Sequence, residues 1–107
     1  MKDVTIFTAL ADPMRRQLLI DLAKNSPKTA TQLAKGYRIS RPGIIKHLKI
    51  LKEAGLVKVS QQGRDKRYIL APEPLSELQQ WLYEITDIWD DNLLQLKTML
   101  ESETLDE

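Results

Sequence analysis

Ser40-Arg41-Pro42-Gly43-Ile44-Ile45-Lys46-His47-Leu48-Lys49-Ile50-Leu51-Lys52-Glu53-Ala54-Gly55 is the stretch on which the fold turns. Its apolar residues Ile44, Leu48 and Leu51 recur at i, i+4 and i+7, which places them on one face of a helix and predicts a core-facing stripe. Ser40 suits the N-cap, Pro42 is tolerated in the first turn, and Gly55 stands where a left-handed C-cap falls. The opposite face carries Pro42, Ile45, Lys46, Lys49 and Glu53.

Working outward toward the start, Thr29 caps a short helix over Ala30 to Lys35, with Ala30, Leu33 and Ala34 on its apolar face. Gly36-Tyr37-Arg38-Ile39 makes a tight connection between the two helices. Before them, Val4 to Ala11 reads as a short helix, and Asp12-Pro13 restarts the chain as an N-cap and first helical residue. Leu18, Leu19, Leu22 and Ala23 carry that helix to about Lys24, where Asn25-Ser26-Pro27 ends it. Arg15 and Arg16 stand in its first turn, where cations oppose the helix dipole. They call for an anionic partner, whether Asp12, the acidic tail or a phosphate.

Working outward toward the end, Leu56 to Ser60 and Arg67 to Leu70 are β-type runs joined by a polar turn from Gln61 to Lys66, a β-hairpin. Pro72-Glu73-Pro74 punctuates, and a long helix then runs to about Glu101. Its seam of Leu75, Leu78, Leu82, Ile85, Trp89, Leu96 and Met99 alternates spacings of three and four, with Asn92 its polar position. The predicted fold is mainly α with a small β-hairpin: five helices, with the hairpin between the fourth and fifth. That order describes a winged helix-turn-helix. The helix-turn-helix spans 29–54, the wing 56–70 and the C-terminal helix 74–101, within one domain over 1–107.

The charge is distributed to match. Residues 28–70 hold 11 basic and 2 acidic side chains, whereas residues 71–107 hold 1 basic and 10 acidic, although the whole chain nets only +1. The middle is built for a polyanion and the tail repels one. In a helix-turn-helix the second helix lies in the major groove of double-stranded DNA and the wing touches flanking backbone or minor groove. The candidate DNA contacts are therefore Ser40, Arg41, Pro42, Gly43, Ile45, Lys46 and Lys49 on the helix and Arg64, Lys66 and Arg67 on the wing. Arg41 is placed to read guanine, Ile45 to pack on a thymine methyl, and Lys49 to hold a phosphate. Gly43 costs a helix about 0.5–1 kcal/mol relative to Ala, which points either to close approach of DNA or to contact with the preceding helix. His47 falls nearer Ile44 and Leu51 than Lys46 does, so packing or a backbone bond is favoured over a phosphate contact.

Other classes recede. The chain has no Cys and one His, so neither a metal site built on Cys and His nor a nucleophile with its base and orienting group can be assembled; Glu84, Asp87, Asp90 and Asp91 read as a solvated acidic face over a hard-cation site, and no enzyme or cofactor is expected. The N-terminal residues hold no secretory pattern, and no stretch reaches the ~20 apolar residues of a membrane span. A cytoplasmic protein is expected.

Leu10-Ala11-Asp12-Pro13-Met14-Arg15-Arg16, the run Ser40 to Lys49, Glu53-Ala54-Gly55-Leu56-Val57 and Gly63-Arg64 followed by Tyr68-Ile69-Leu70 together resemble the arsenical-resistance-repressor (ArsR) family of regulators. The resemblance covers about residues 4–101. It implies a homodimer formed by the first and last helices, binding inverted-repeat operators and repressing transcription. The dimer residues would be Val4, Phe7 and Leu10 with Leu78, Leu82, Ile85, Trp89, Leu93 and Leu96. The chain departs from members that sense metals through Cys pairs or through His and carboxylates on the last helix. Trp81-Leu82 and Ile88-Trp89-Asp90 are instead similar to a branch without recognised metal sites. A small-molecule or protein effector is left open, with Trp81 and Trp89 reading as packing residues at helical spacing. The second reading of the whole chain is a winged helix that docks an acidic partner protein.

Overall fold

Asp12 shows how local chemistry sets this fold. Its Oδ1 accepts from the backbone N–H of Met14 at 2.7 Å and of Arg15 at 3.2 Å, so the helix that follows starts at Pro13. A computed structural model describes the backbone of residues 2–105 and the side chains of residues 6–102. In chain order the elements are α1 (Lys2–Leu10), α2 (Pro13–Lys24), β1 (Lys28–Thr29), α3 (Ala30–Ala34), α4 (Arg41–Glu53), β2 (Val57–Gln62), β3 (Asp65–Leu70) and α5 (Glu73–Leu105). They form two compact units, one up to Leu75 and one from Ser76 onward. Val4, one of the expected dimer residues, lies outside the described side chains.

The first unit is a winged helix-turn-helix. Its core gathers Leu18 and Leu22 of α2, Leu33 of α3, Ile44, Leu48 and Leu51 of α4, and Leu56. The three α4 residues are completely buried, as the i, i+4, i+7 spacing predicts. Truncating one of them to Ala removes about 2–5 kcal/mol. Helix α4 ends in a Schellman arrangement: Leu56 N–H reaches Leu51 C=O, Gly55 N–H reaches Lys52 C=O, and Gly55 sits at φ +77°. The two leucines so joined are both fully buried.

The sheet departs from the expected two-strand hairpin. Three antiparallel strands run in the order β1-β3-β2, because Lys28 and Thr29 pair with Tyr68 and Arg67 before α3 begins. The hairpin strands also run further than expected, pairing Gln61 with Lys66 and Gln62 with Asp65. Only Gly63 and Arg64 are left as the turn. Gly63 takes φ +64° at the first turn position, and Arg64 follows with no positive φ, the pattern of a tight two-residue loop. Lys66 thus stands on a strand, not in a loop, beside Arg67, which is on the strand as expected. Helix boundaries shift by a few residues: α1 starts at Lys2 and ends at Leu10, α3 stops at Ala34, and α5 continues to Leu105.

The second unit is the remainder of α5. Leu82, Ile85, Trp89, Leu93 and Leu96 are each 44–60% exposed on it, while Leu75 and Leu78, in the first two turns of α5, are half-buried. Among the described residues no helix is long and apolar enough to cross a membrane.

Candidate nucleic-acid interface

Helix α4 divides by its period. With Ile44, Leu48 and Leu51 turned inward, Arg41, Pro42, Ile45, Lys46 and Lys49 are all exposed, and Ser40 at the N-cap is exposed with them. The Ser40 hydroxyl accepts from the Gly43 N–H at 3.4 Å, and Ile44 N–H bonds Ser40 C=O at 3.0 Å, which fixes the helix start. The cations on this face sit on a helix held by its own core, so the side chains are free while the backbone is not.

Gly43 has an internal explanation. A Cβ there would lie 2.5 Å from Cγ2 of Ile39, in the turn between α3 and α4. Ile39 is half-buried against the core, so the glycine admits the turn close to the helix. Of the two alternatives weighed from sequence, contact with the preceding segment is the one with a geometric cause, and the neighbour is the turn, not the helix before it.

An open groove of about 510 Å³ runs between α4 and the hairpin. One wall carries Arg41 and Ile45, the other Arg64, Asp65 and Lys66. Three cations therefore face one groove against a single carboxylate. The α3 residues Thr31 and Gln32 close its end, which the sequence reading missed. The available signal was the Thr29-x-x-Gln32 spacing of a capping box, and the box is present: Gln32 N–H bonds Thr29 Oγ1 at 3.1 Å, and Thr29 N–H bonds Gln32 Oε1 at 2.9 Å. Arg67 is not among the groove residues. It alternates with Tyr68, whose ring is buried and lines the groove, so Arg67 leaves the opposite face of the sheet, half-buried beside its strand partners Thr29 and Ser60. Pro42, Lys46 and Lys49 lie outside the groove as well, on the outward face of α4.

His47 is half-buried, with Nδ1 3.5 Å from a guanidinium nitrogen of Arg15 of α2. Arg15 also donates to the carbonyls of Ala9 at 2.7 Å and Thr8 at 3.0 Å, and Arg16 donates to Leu10 C=O at 2.7 Å. The two arginines thus cap the C-terminal carbonyls of α1, where the helix dipole is negative. The expected anionic partner is in large part a helix end. Asp12 stands 3.9 Å from the Arg15 guanidinium. Desolvation pushes its carboxyl up, but the backbone N–H groups of Arg15 and Met14 and the charges of His47 and Arg15 outweigh it and hold it below its ordinary 3.8.

The α3–α4 turn is tied back to α2. The Tyr37 hydroxyl donates to Asp21 Oδ2, and Gln17 donates to Asp21 Oδ1 at 3.3 Å. Burial, then the hydrogen bond to Asp21 and its negative charge, push the Tyr37 phenol up to about 12. Of the expected dimer residues on α1, Phe7 is exposed and Leu10 is half-buried against the core of its own unit. Among the described residues no three of His, Cys, Asp and Glu come together as a metal site.

Known proteins share this architecture. The family model described as "Bacterial regulatory protein, arsR family" matches residues 12–59. The transcriptional repressor SdpR of Bacillus subtilis is 34% identical over 88 residues, which cover 82% of this chain and 97% of that protein. An ArsR-like transcriptional regulator from a Rhodococcus species superposes with a TM-score of 0.80 at 33% identity, over 94% of this chain and 92% of that one. The homodimeric winged helix-turn-helix DNA-binding domain of a Mycobacterium bovis protein, at 24% identity, shares the fold with a TM-score of 0.65 over 80% of this chain and 79% of its own.

Proposed function

Since this chain belongs to the ArsR family of bacterial regulatory proteins, a class of transcriptional regulators and not of enzymes, we propose that it is a homodimeric repressor that binds an inverted-repeat operator in double-stranded DNA. The observation that carries this reading is the groove on which Arg41 of α4 and Arg64 and Lys66 of the hairpin converge. The N-terminal half of α4 enters the major groove, which is about 12 Å wide and admits a helix. There Arg41 pairs with guanine, Ile45 packs on a thymine methyl, Lys46 reaches a base or a phosphate, and Lys49 holds a phosphate. Arg64 at the tip of the hairpin enters the adjacent minor groove, with Lys66 on the backbone beside it. Ser40, Pro42 and Gly43, at the N-terminal end of α4, face the same strand. Arg67 approaches phosphates from the other face of the sheet.

The second copy is supported by α5. An exposed stripe containing Leu82, Ile85, Trp89, Leu93 and Leu96 is more apolar surface than a soluble monomer ordinarily leaves open. The Mycobacterium bovis domain of the same fold is homodimeric. We assign the stripe, together with Phe7 of α1, to the partner copy. Two-fold symmetry then sets two α4 helices on half-sites about 34–36 Å apart, or a multiple of that. The SdpR relative is a repressor, and occupying an operator is the simplest way for such a dimer to block transcription.

Selecting bound duplexes from a random pool tests the reading. An inverted repeat with half-sites one or two helical turns apart is the expected product. Recovery of no duplex, together with equal failure of gel-shift binding on random-sequence DNA, would overturn it.

A further inference from the structure

The groove is also lined by residues that neither the recognition helix nor the wing supplies, and Gln32 is one of them. Its carboxamide is already half committed, because Oε1 accepts from the Thr29 backbone N–H at 2.9 Å. An amide held by its oxygen presents its nitrogen, with two N–H donors, away from that bond. Nε2 makes no hydrogen bond among the described residues, and the side chain is exposed. The capping box therefore does more than start α3. It fixes which end of the Gln32 amide faces out, a neutral donor of set orientation beside Arg41, Arg64 and Lys66.

When a helix lies in the major groove and a hairpin in the adjacent minor groove, one sugar–phosphate strand must pass between them. In this chain the space between α4 and the hairpin is the groove that Gln32 closes. We propose that one phosphodiester strand of bound DNA seats in this groove and that the Gln32 amide donates to a phosphate oxygen of that strand. This rests on the DNA-binding reading above and names a residue that reading does not need. The contact carries no sequence information. It stops the strand from sliding along the groove and so sets the register of α4 against the bases, as backbone contacts do. Gln32 is a positioning residue, and the base preference belongs to Arg41 and Ile45.

The test exploits the capping box. Gln32→Glu keeps an acceptor for the Thr29 N–H, and Glu is as well suited to that position as Gln. The fold is preserved while the outward donor becomes an anion facing a phosphate. Gln80→Glu, on the polar face of α5 and not among the groove residues, carries the same change of net charge and serves as control. With the full-length protein, the expected result for Gln32→Glu is an unchanged thermal midpoint and a loss of affinity of about tenfold or more. The loss should be equal for the selected operator and for scrambled duplex, with Gln80→Glu close to wild type. Equal binding by Gln32→Glu and wild type would overturn the inference. So would a loss confined to the operator, which would make Gln32 a base reader, and so would an equal loss in the Gln80→Glu control. Failure of the wild type itself to bind any duplex is a different result and would sink the functional reading instead.

Discussion

Helices α4 and α5 are both amphipathic, yet they meet their surroundings in opposite ways. Helix α4 buries Ile44, Leu48 and Leu51 completely within its own unit and offers solvent a face of Arg41, Ile45, Lys46 and Lys49. Helix α5 leaves Ile85 44%, Leu82 48% and Trp89 60% exposed, and it lies in the stretch of 1 basic and 10 acidic side chains from residue 71 on. A helix whose apolar stripe is satisfied internally is held rigidly and can present a polar ligand surface. A helix whose stripe is unsatisfied is a demand for another apolar surface. The charges agree with this division. The basic helix attracts a polyanion and the acidic one repels it, which fits the proposal that α4 meets DNA and α5 meets a second copy of itself.

The largest effect is expected from breaking α5 without touching α4. Leu82→Asp with Ile85→Asp places two charges in the stripe. By sedimentation the wild type is expected to be a dimer and the variant a monomer. Operator affinity should then fall by about 10²–10⁴-fold, because the second half-site no longer binds as a tethered partner. A monomeric wild type, or a variant that remains dimeric, breaks the comparison outright.

The two stripes should also differ in how their truncation reads. Leu48→Ala removes side-chain volume from a closed core and is expected to cost about 2–5 kcal/mol at any protein concentration. Leu82→Ala removes surface that the proposed second copy would cover, so its effect on the thermal midpoint should grow or shrink with protein concentration. A concentration-independent cost at Leu82 would mean that α5 is satisfied within one chain.

On the DNA side the comparison sharpens within the basic region. Arg41→Ala is expected to relax preference at one base position at a cost of about 1–3 kcal/mol. Arg64→Ala with Lys66→Ala should weaken binding to all sequences. It should also flatten the dependence of log affinity on log salt, by about 0.9 for each phosphate that is no longer neutralised. Arg67→Ala, on the opposite face of the sheet, should change that slope less. Titrations across a salt series measure all three. An unchanged slope for the Arg64 and Lys66 pair would remove the wing from the interface.

What was legible in the sequence follows from the range of each interaction. The faces of α4 were legible because a helix repeats its pattern within a few residues, and Gly55 because its left-handed cap is a local requirement. Strand β1 was not legible: two residues carry no period, and their partners Arg67 and Tyr68 are far along the chain. The polar ends of the hairpin, Gln61, Gln62, Asp65 and Lys66, looked like loop because only their pairing makes them strand. Arg15 and Arg16 signalled a negative partner correctly in sign. The carbonyls of Thr8, Ala9 and Leu10 were invisible as that partner, because a backbone acceptor has no side-chain identity. Gly43 left close approach of DNA and contact with the preceding helix equally open, and only the folded turn, which sets Ile39 against it, supplies a geometric cause. The cations of the candidate interface could be named from the sequence, but which of them share a groove, and that Gln32 joins them, depends on how α3 and the hairpin come together.

The smallest expected effect concerns what holds α4 in place. The turn before it is tied to α2 by Tyr37, whose hydroxyl donates to Asp21, and nothing equivalent is required of α5 if a second copy covers it. Tyr37→Phe keeps the ring and removes the bond, so it is expected to cost about 1 kcal/mol. The pH dependence gives an independent check. The phenol is pushed from 10.0 up to about 12 in the folded chain, so the folded state holds its proton more tightly than the unfolded state does. Its contribution is then fully present below pH 10 and is lost as pH rises from there through about 12. Chemical denaturation at neutral pH and across that alkaline window should show the wild type losing its advantage over Tyr37→Phe as the phenol ionises. If the gap between the two proteins stays constant through the window, the bond to Asp21 is not what secures the turn, and the rigidity of α4 must be credited to its buried Ile44, Leu48 and Leu51 alone.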